Sequence, residues 1–285
     1  MMLATMPTCV QFQATSPPFR SVPRYPLASF MNTLKLFRSD SPSIHGATSS
    51  LIILVTIFTS ISSVASGTHT HAAESNVVCV DSFERRELGP DLRSMIPDFR
   101  IEDGVLKGRQ RKPDHGGSAH RLIQLPNGNV GIELRFNFQG ARSFNLSCDD
   151  RSCQKVHAGH IARITVQPKR LTLYDDKEGV MRLDIRKLRK SGDPKQKAEG
   201  DRLSADATAR FPLSLQQDRW YQLRLEIVAD EMKVWIDGKM AGNLKSPGLK
   251  HPTKPDLRIG VWGSHPSHEV HFDDLRIQSI NNTVP

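Results

Sequence analysis

The sequence has few aromatic residues and few cysteines, and both shortages narrow the possible fold classes. Phe, Tyr and Trp make up 6% of the 285 residues, and only three are tryptophans. Four cysteines in a chain of this length are too few for a disulfide-rich scaffold, and a cysteine-based metal site would need more ligands. The chain therefore has to fold around an ordinary hydrophobic core.

The sequence also has no apolar run long enough for a confident membrane span. Its most apolar stretch, Leu51–Ile61, is shorter than the about 20 residues that a membrane helix needs. Lys35 and Arg38 precede this stretch and small residues follow it, which is the layout of a secretory signal peptide. We expect export to the periplasm, the cell surface or the extracellular space, with cleavage near Ala65 or Ala73 and no membrane span afterwards. A retained N-terminal anchor is the alternative.

The N-terminal region is interpreted as separate from the folded domain. Met31 would itself make an ordinary signal-peptide start, so we interpret the thirty residues before it as an over-extended start. The predicted domains are an N-terminal extension with the signal peptide, residues 1–73, and a folded domain, residues 74–285. Without the four basic residues and one acidic residue before Glu74, the chain keeps 35 basic and 29 acidic residues. This surplus of basic residues is modest, and the sequence shows no basic stripe interleaved with aromatic residues. Both observations argue against nucleic acid as a partner.

One segment of the predicted domain shows no periodicity. Residues 186–210 are expected to form a long loop that leaves one edge of the domain, and their composition favours disorder. Many of the cations lie in Arg182–Arg202, where weak attraction to anionic polymers is conceivable.

The cysteines suggest one local disulfide. Cys148 and Cys153 lie close together in CDDRSC and could form a small disulfide at the end of a hairpin. Cys79 would then be left over, and Cys9 would be removed with the signal peptide. This pattern agrees with an oxidising compartment.

From Val77 onward no stretch keeps a 3.6-residue apolar period for three turns, which disfavours a helical fold. Apolar and polar residues instead alternate in 131–138, 220–227 and 231–236, and Asp237-Gly238 is a strong hairpin signal. These three strands are predicted to form a meander. Further strands are predicted at 98–107, 119–125, 160–167, 171–174, 257–262 and 269–277. The pattern predicts an all-β fold, a two-sheet antiparallel jelly-roll sandwich.

Several strings carry a family resemblance across nearly the whole predicted domain. They are VDSFERRELGPDL, FRIEDGVLKG, WYQLRLEIVADEMKVWIDGK, SPGLKHPTKPDLRIGVWG and VHFDDLRI. Together they resemble concanavalin A-like or laminin-G-like domains, nearest to the 3-keto-disaccharide hydrolase family, which is similar to family-16 glycoside hydrolases. The resemblance implies a jelly roll with a curved groove and a polysaccharide or oligosaccharide ligand. It does not indicate catalytic residues.

The sequence departs from the family-16 glucanase pattern at one important point. Those enzymes carry a Glu-x-Asp-x-x-Glu strand, whose carboxylates flank the glycosidic bond. The nearest string here begins at Glu269 and has His271 in place of the middle aspartate, with no second glutamate. The glucanase chemistry is therefore not transferred to this chain.

The three tryptophans give the most informative local pattern. Trp220, Trp235 and Trp262 each fall in the opposite register from the aliphatic residues of their strands, so all three should lie on polar faces. Exposed indoles are the surfaces on which sugar rings stack, which makes these tryptophans candidate ligand-binding residues. The alternative is that they form a second small core under a loop or a neighbouring sheet.

Histidines and carboxylates are the remaining candidates. His157 and His160 bound a turn before a strand and could supply imidazole ligands or a general base, but two residues fall short of a metal site. A second group, His265, His268 and His271, surrounds the last hairpin. No metal site and no cofactor are expected.

Outward-facing carboxylates could form an acid/base pair for glycoside cleavage. Glu133 with Glu226 is one such pair, and Asp175 with Asp176 is another. Equally, Glu133 and Glu226 could form ion pairs with Arg135 and Arg224 on a solvated face, and the two aspartates could belong to an ordinary turn. Calcium held by such loop carboxylates is a minor option.

Three hypotheses for the function follow from these patterns. The first is an exported jelly roll that binds or processes carbohydrate, the second a glycoside-cleaving enzyme of the 3-keto-disaccharide hydrolase type, and the third a structural or adhesive cell-surface domain without catalysis. The sequence does not indicate the oligomeric state.

Overall fold

A computed structural model of the protein describes residues 75–90, 92–94, 98–110, 118–263 and 265–281, all within one compact unit. The predicted signal peptide, its cleavage sites and Cys9 lie outside the described residues and stay predictions. The strands are β1 Ser75–Asp81, β2 Arg93–Ser94, β3 Phe99–Glu102, β4 Val105–Arg109, β5 Ser118–Gln124, β6 Val130–Gln139, β7 Ser143–Asp149, β8 His160–Gln167, β9 Arg170–Asp175, β10 Thr208–Pro212, β11 Trp220–Val228, β12 Glu231–Ile236, β13 Lys239–Lys245, β14 Asp256–Trp262 and β15 Glu269–Ile280. Two short helices, α1 Leu183–Arg189 and α2 Pro194–Leu203, lie between β9 and β10.

The strands form two antiparallel sheets. The eight-stranded sheet has the order β13-β12-β11-β6-β15-β4-β3, and β1 pairs with the second half of β15. The seven-stranded sheet has the order β10-β9-β8-β7-β14-β5-β2. These pairings confirm the predicted all-β, two-sheet antiparallel jelly-roll sandwich. Strands β6, β11 and β12 are neighbours, as the predicted meander requires.

The core lies between the two sheets and follows from the alternation of side chains along each strand. Tyr221, Leu223, Leu225 and Ile227 of β11 are buried, whereas the residues between them are exposed or half-buried. Five aromatic rings at the centre form a connected cluster, in which each ring centre lies within 6 Å of at least one other in a tilted, edge-on or stacked pair: Phe136, Phe138, Phe144, Tyr221 and Phe272. Such geometry adds to the free energy gained from burial.

Turn residues define the register of the meander. Asp237 and Gly238 have φ angles of 49° and 73° between β12 and β13, which is the left-handed pair that a two-residue hairpin loop requires. Ala229, between β11 and β12, has φ 51°. The predicted hairpin signal at Asp237-Gly238 is confirmed.

The predicted long loop at 186–210 is wrong, because most of this segment is helical. Ile185 of α1 is fully buried and anchors that helix. The Asp193 carboxylate accepts a hydrogen bond from the backbone N–H of Lys195, and Pro194 occupies the first turn of α2, an N-terminal arrangement that favours a helix. The segment leaves the sheet between β9 and the edge strand β10, so the expected position at an edge of the sandwich is right.

The predicted disulfide between Cys148 and Cys153 is also wrong in this structure. Both residues are free cysteines, as is Cys79. Cys148 points into the core from β7, where burial raises the pKa of its thiol to about 12. Cys153 lies in the loop after β7 and is only half-buried. Strand alternation directs the first thiol away from the loop, so closeness in sequence does not bring the sulfurs together.

Candidate functional site

The structure divides the predicted site residues between opposite faces of the sandwich. Trp220 and Trp235 are half-buried on the outer face of the eight-stranded sheet, and Trp262 is half-buried on the outer face of the seven-stranded sheet. The predicted register, with tryptophans opposite the aliphatic residues, is confirmed for all three. Because two sheets and the core separate the two positions, one groove cannot hold all three indoles.

Glu133 and Glu226 lie together on the outer face of the eight-stranded sheet, but an arginine joins them. Arg224 pairs across the strands with Glu133, and its side chain contacts both carboxylates. The same guanidinium lies 5.3 Å from the ring centre of Trp235, and Arg135 lies 4.9 Å from that of Trp220. This face is thus a network of surface ion pairs and cation–π contacts, which is the alternative considered for these glutamates.

Glu269 and His271 lie on the same sheet, near its other end. Glu269 is held by Arg100, with Nη1 and Oε1 2.7 Å apart, and His271 Nε2 lies 3.2 Å from Glu269 Oε2. Burial alone would raise the pKa of Glu269, but the hydrogen bonds from Arg100 and His271 outweigh it and lower the pKa. His265 and His268, with ring centres 5.5 Å apart, precede this strand.

The outer face of the seven-stranded sheet is different, because its polar side chains are recessed. Asn145, Ser147 and Asp149 alternate with the core residues of β7, yet they are only 8%, 4% and 0% exposed. The register of the neighbouring strands places Arg258 of β14 and Arg163 of β8 on either side of Ser147. We call this surface the polar face. Its members are Asn145, Ser147, Asp149, His160, Arg163, Thr165, Thr172, Tyr174, Arg258 and Trp262.

Asp149 organises one end of the polar face. Its carboxylate is fully buried. Asp149 Oδ1 lies 2.8 Å from His160 Nδ1, and Asp149 Oδ2 lies 3.0 Å from Arg258 Nη2. One carboxylate therefore positions both a histidine and an arginine, which reduces the side-chain freedom that a ligand would have to restrict. His157, the other predicted histidine, has its ring centre 6.3 Å from that of His160.

Arg163 is fixed in the same way at the centre of the face. Asp176 accepts two hydrogen bonds from it, at 2.8 and 2.9 Å, and the guanidinium lies 4.0 Å from the ring centre of Tyr174. Burial alone would lower the pKa of Arg163, but the negative charge of Asp176 outweighs it and raises the pKa. A bidentate pair on an aromatic ring is a rigid donor surface.

Three buried polar atoms of the face have no hydrogen-bond partner among the described residues: Oδ1 of Asn145, Oδ2 of Asp149 and Nε of Arg258. Asp149 Oδ2 still lies 3.0 Å from Arg258 Nη2 as an ion pair, so Asn145 Oδ1 and Arg258 Nε are the two atoms that a ligand could satisfy. Asn145 pairs with Gly260 on β14, two residues after Arg258, so an acceptor and a donor lie on neighbouring strands. An unsatisfied buried polar group costs about 1–3 kcal/mol, so a bound ligand that paired with Asn145 Oδ1 and Arg258 Nε would remove that cost.

Two open cavities border the polar face beside the loop that follows β7. One, of about 480 Å³, is lined by Arg151, Cys153, Gln154, Val156, Ala158, Gly159 and Arg258. The other, of about 400 Å³, is lined by Asn127, Asp150, Arg151, Ser152, Thr253, Pro255 and Asp256. Arg258 belongs to both the polar face and the first cavity, which we call the arginine pocket. The two surfaces are therefore continuous.

Asp150 holds the loop between these cavities. Its carboxylate accepts hydrogen bonds from the backbone N–H and hydroxyl of Ser152 and from Thr253, and it lies 2.8 Å from His251 Nε2. Burial alone would raise the pKa of Asp150, but these hydrogen bonds outweigh it and keep the pKa well below its ordinary value. The carboxylate thereby ties the end of β7 to the segment that leads into β14.

Asp150 should make the protein sensitive to acid. Because its folded-state pKa lies below the unfolded value of about 4, its contribution to stability is present above that value and is lost as the pH falls through the folded pKa. We expect Asp150→Asn to be less stable than the wild type at pH 7 by about 1–3 kcal/mol, with the gap closing below pH about 4. Urea unfolding at pH 7 and pH 3 measures this, and a gap that is unchanged at pH 3 would contradict it.

Several residues of the site were missed in the sequence because β7 and its neighbours were not interpreted as a polar surface. Asn145, Arg163 and Arg258 are not among the predicted candidates. A signal was present, since Ser143, Asn145, Ser147 and Asp149 alternate with apolar residues over seven positions. That period of two identifies a strand with one polar face.

No family model and no curated protein matches the chain. Solved structures that it resembles include an endo-β-1,3-glucanase from Pyrococcus furiosus, at 11% identity over 73% of this chain and 96% of that chain, with a TM-score of 0.49. Porphyranase B from Zobellia galactanivorans has 10% identity over 73% and 94%, with a TM-score of 0.48. The carbohydrate-binding module CBM66 from Bacillus subtilis has 11% identity over 66% and 96%, with a TM-score of 0.43.

These likenesses concern architecture alone. With TM-scores below 0.5 they support no statement about function, and the jelly-roll architecture of this chain follows from its own strand pairing. Identities near 10% match no site residue of this chain to a residue of known role. No ligand or reaction is therefore carried over from them.

No group of three or more His, Cys, Asp and Glu side chains in the described part of the chain could hold a metal ion, and whether calcium binds stays untested. None of the helices in the described ranges is both long and apolar enough to cross a membrane.

Proposed function

We propose that the polar face binds carbohydrate, as a polysaccharide or an oligosaccharide. The unpartnered pair formed by Asn145 Oδ1 and Arg258 Nε is the observation that carries this proposal. A sugar hydroxyl both accepts and donates hydrogen bonds, so vicinal hydroxyls can satisfy both atoms at once. The fixed guanidinium of Arg163 and the recessed hydroxyls of Ser147 and Thr172 add further polar groups on the same surface.

Trp262 supplies the apolar part of such a site. It lies on β14 two residues after Gly260, which has no side chain to occupy the outer face beside Asn145. A sugar ring beside Gly260 could stack its C–H groups on the half-buried indole, while its hydroxyls reach Asn145 and Arg258. Alternation of aromatic and polar contacts is typical of ligand sites of this kind.

Trp262→Ala should weaken glycan binding by about tenfold, because it removes a stacking surface. Trp220→Ala is the matched control, since Trp220 is equally half-buried but lies on the other sheet. A glycan array followed by calorimetric titration of the best ligand measures both variants. Equal losses in the two variants, or a loss in Trp220→Ala alone, would contradict the assignment to the polar face.

A glycoside-processing enzyme is the second candidate, and the Asp149–His160 contact favours it. Asp149 fixes Nδ1 of His160 at 2.8 Å, which is how a carboxylate orients a histidine that acts as a general base through Nε2. The reaction would be of the 3-keto-disaccharide hydrolase type. Product formation from bound 3-keto and ordinary oligosaccharides, with His160→Gln as the control, separates an enzyme from a binding domain.

Export belongs to the same proposal. The signal-like residues 51–61 would direct the domain to the periplasm, the cell surface or the extracellular space, where polysaccharides are met. If no glycan binds the intact domain, the third hypothesis, a structural or adhesive surface domain, gains support.

A further inference from the structure

We infer that the ligand of the polar face is an acidic glycan, whose carboxylate or sulfate group binds in the arginine pocket. This inference rests on the proposed carbohydrate binding and adds the chemical class of the sugar. It depends on the pocket lining, on its position next to the polar face and on the placement of helix α1.

The arginine pocket presents two guanidinium groups and, among the described residues that line it, no carboxylate. Each arginine is anchored from another side, since Arg258 Nη2 lies 3.0 Å from Asp149 and Arg151 Nε lies 3.8 Å from Asp256. A guanidinium has five N–H donors, so the contact with Asp149 leaves donors on Arg258 for a second anion. The Arg258 Nε–H, which has no partner among the described residues, is such a donor.

Part of the pocket lining is a tight turn of small residues. Ala158 and Gly159 have φ angles of 55° and 79°, and a β-carbon at Gly159 would lie 2.6 Å from the backbone oxygen of Asp150. Alanine rarely adopts this left-handed conformation. The turn therefore keeps the pocket lining small at a point where a larger side chain would narrow it.

Helix α1 begins beside this turn. The backbone N–H of Leu183 donates to the carbonyl of Lys155 at 3.0 Å, and that of His157 donates to the carbonyl of Met181 at 2.8 Å. The start of α1 is thus joined to the strand segment that contains Val156 of the pocket lining.

Arg186 of α1 and Lys190 directly after it are spaced four residues apart, so both lie on one face of the helix end. Burial lowers the pKa of His157, and the positive charges of Arg186, His160 and Lys190 lower it further. Neither Arg186 nor Lys190 has an ion-pair partner within the described ranges, whereas Arg182, Arg189 and Arg202 each contact an acidic side chain. Uncompensated positive charge therefore gathers at the end of the polar face where the pocket opens.

The experiment uses pairs of ligands that differ only in charge. For a carboxylate the probes are oligogalacturonate and its fully methyl-esterified form, and for a sulfate they are a carrageenan oligosaccharide and its desulfated form. We expect the acidic member of at least one pair to bind the intact domain about tenfold more tightly at 50 mM salt, with the difference shrinking at 500 mM salt. The pair that shows the difference identifies the acidic group.

Variants then locate the contact. Arg151→Gln and the double variant Arg186→Gln/Lys190→Gln should each lower affinity for the acidic ligand by about fivefold and leave the neutral ligand unchanged. Lys195→Gln/Lys197→Gln on α2 is the matched control, because it removes the same charge from exposed positions. It should have no effect.

Each remaining outcome overturns the inference in a recognisable way. Equal binding of acidic and neutral ligands would overturn it and leave carbohydrate binding intact. An equal loss in the α1 and α2 double variants would reduce the effect to general attraction of polyanions. If no ligand of either pair binds but the glycan array yields a neutral ligand, the inference fails and the proposed function stands; if the array yields no ligand either, both fail.

Discussion

Replacing Asp175 by alanine should lower the free energy of unfolding by about 4 kcal/mol, which is the largest stability effect that we expect in this protein. Asp175 is fully buried at the end of β9, and its carboxylate accepts hydrogen bonds from the Ser246 hydroxyl at 2.5 Å, from Gly248 N at 2.8 Å and from Glu178 N at 3.0 Å. Truncation would leave three donors without an acceptor in an interior site. Chemical denaturation monitored by tryptophan fluorescence measures the loss.

Gly248 shows how closely Asp175 is enclosed. A β-carbon on this glycine would lie 2.1 Å from Asp175 Oδ1, so the segment Pro247–Lys250 approaches the carboxylate with its backbone. Burial raises the pKa of Asp175, which shows that the donors only partly offset the loss of water. The carboxylate thus joins the seven-stranded sheet to the chain that comes from β13 in the other sheet.

Two further variants keep the prediction testable if Asp175→Ala fails to fold. Asp175→Asn keeps the size and one acceptor oxygen, and we expect it to lose about half as much stability. Asp206→Ala removes an exposed aspartate from the same β9–β10 connection and should change stability by less than about 0.5 kcal/mol. A loss below about 1 kcal/mol in both Asp175 variants would show that the carboxylate does not hold this connection.

The strands that could be predicted are those whose alternation is clear within the strand itself. In β6, β11 and β12, aliphatic and charged residues alternate over six or more positions, and this period of two fixes which face is buried. The hairpin at Asp237-Gly238 followed from backbone preferences that belong to those two residues. For these strands the local pattern and the final structure agree.

The elements that could not be predicted depend on partners far away in the sequence. Helix α1 has seven residues, too few to be stable alone, and it forms because Ile185 is buried against the rest of the domain. Strand β7 does show a period of two, but its polar residues include asparagine and aspartate, which are poor strand formers and weaken that local signal. It is stable because it pairs with β8 and β14 on both sides.

The site was harder to predict than the fold, because strand alternation assigns a side chain to a face but does not say which sheet it belongs to. Trp220 and Trp262 show the same register in the sequence, yet the pairing order places them on opposite sheets. The burial of Asp149 depends on Arg258, more than 100 positions later in the chain. Neither relation can be read from local spacing.

Replacing Asn145 by alanine should weaken glycan binding by about 30-fold, equivalent to about 2 kcal/mol, without lowering stability. The reason is that Asn145 Oδ1 is buried without a partner among the described residues, so the unliganded protein loses no hydrogen bond at this oxygen when the amide is removed. A residue kept for stability would show the opposite pattern. Titration calorimetry and urea unfolding on the same samples measure the two quantities.

Asn137 provides the matched control for this variant. It is 5% exposed, its Oδ1 also lacks a partner within the described residues, and it lies on the outer face of the eight-stranded sheet between Trp220 and His271. Asn137→Ala should therefore leave glycan binding unchanged. The two asparagines match in residue type, burial and unpartnered oxygen, and they differ in the face that they occupy. If Asn137→Ala lost the binding and Asn145→Ala kept it, the ligand would therefore lie on the opposite sheet.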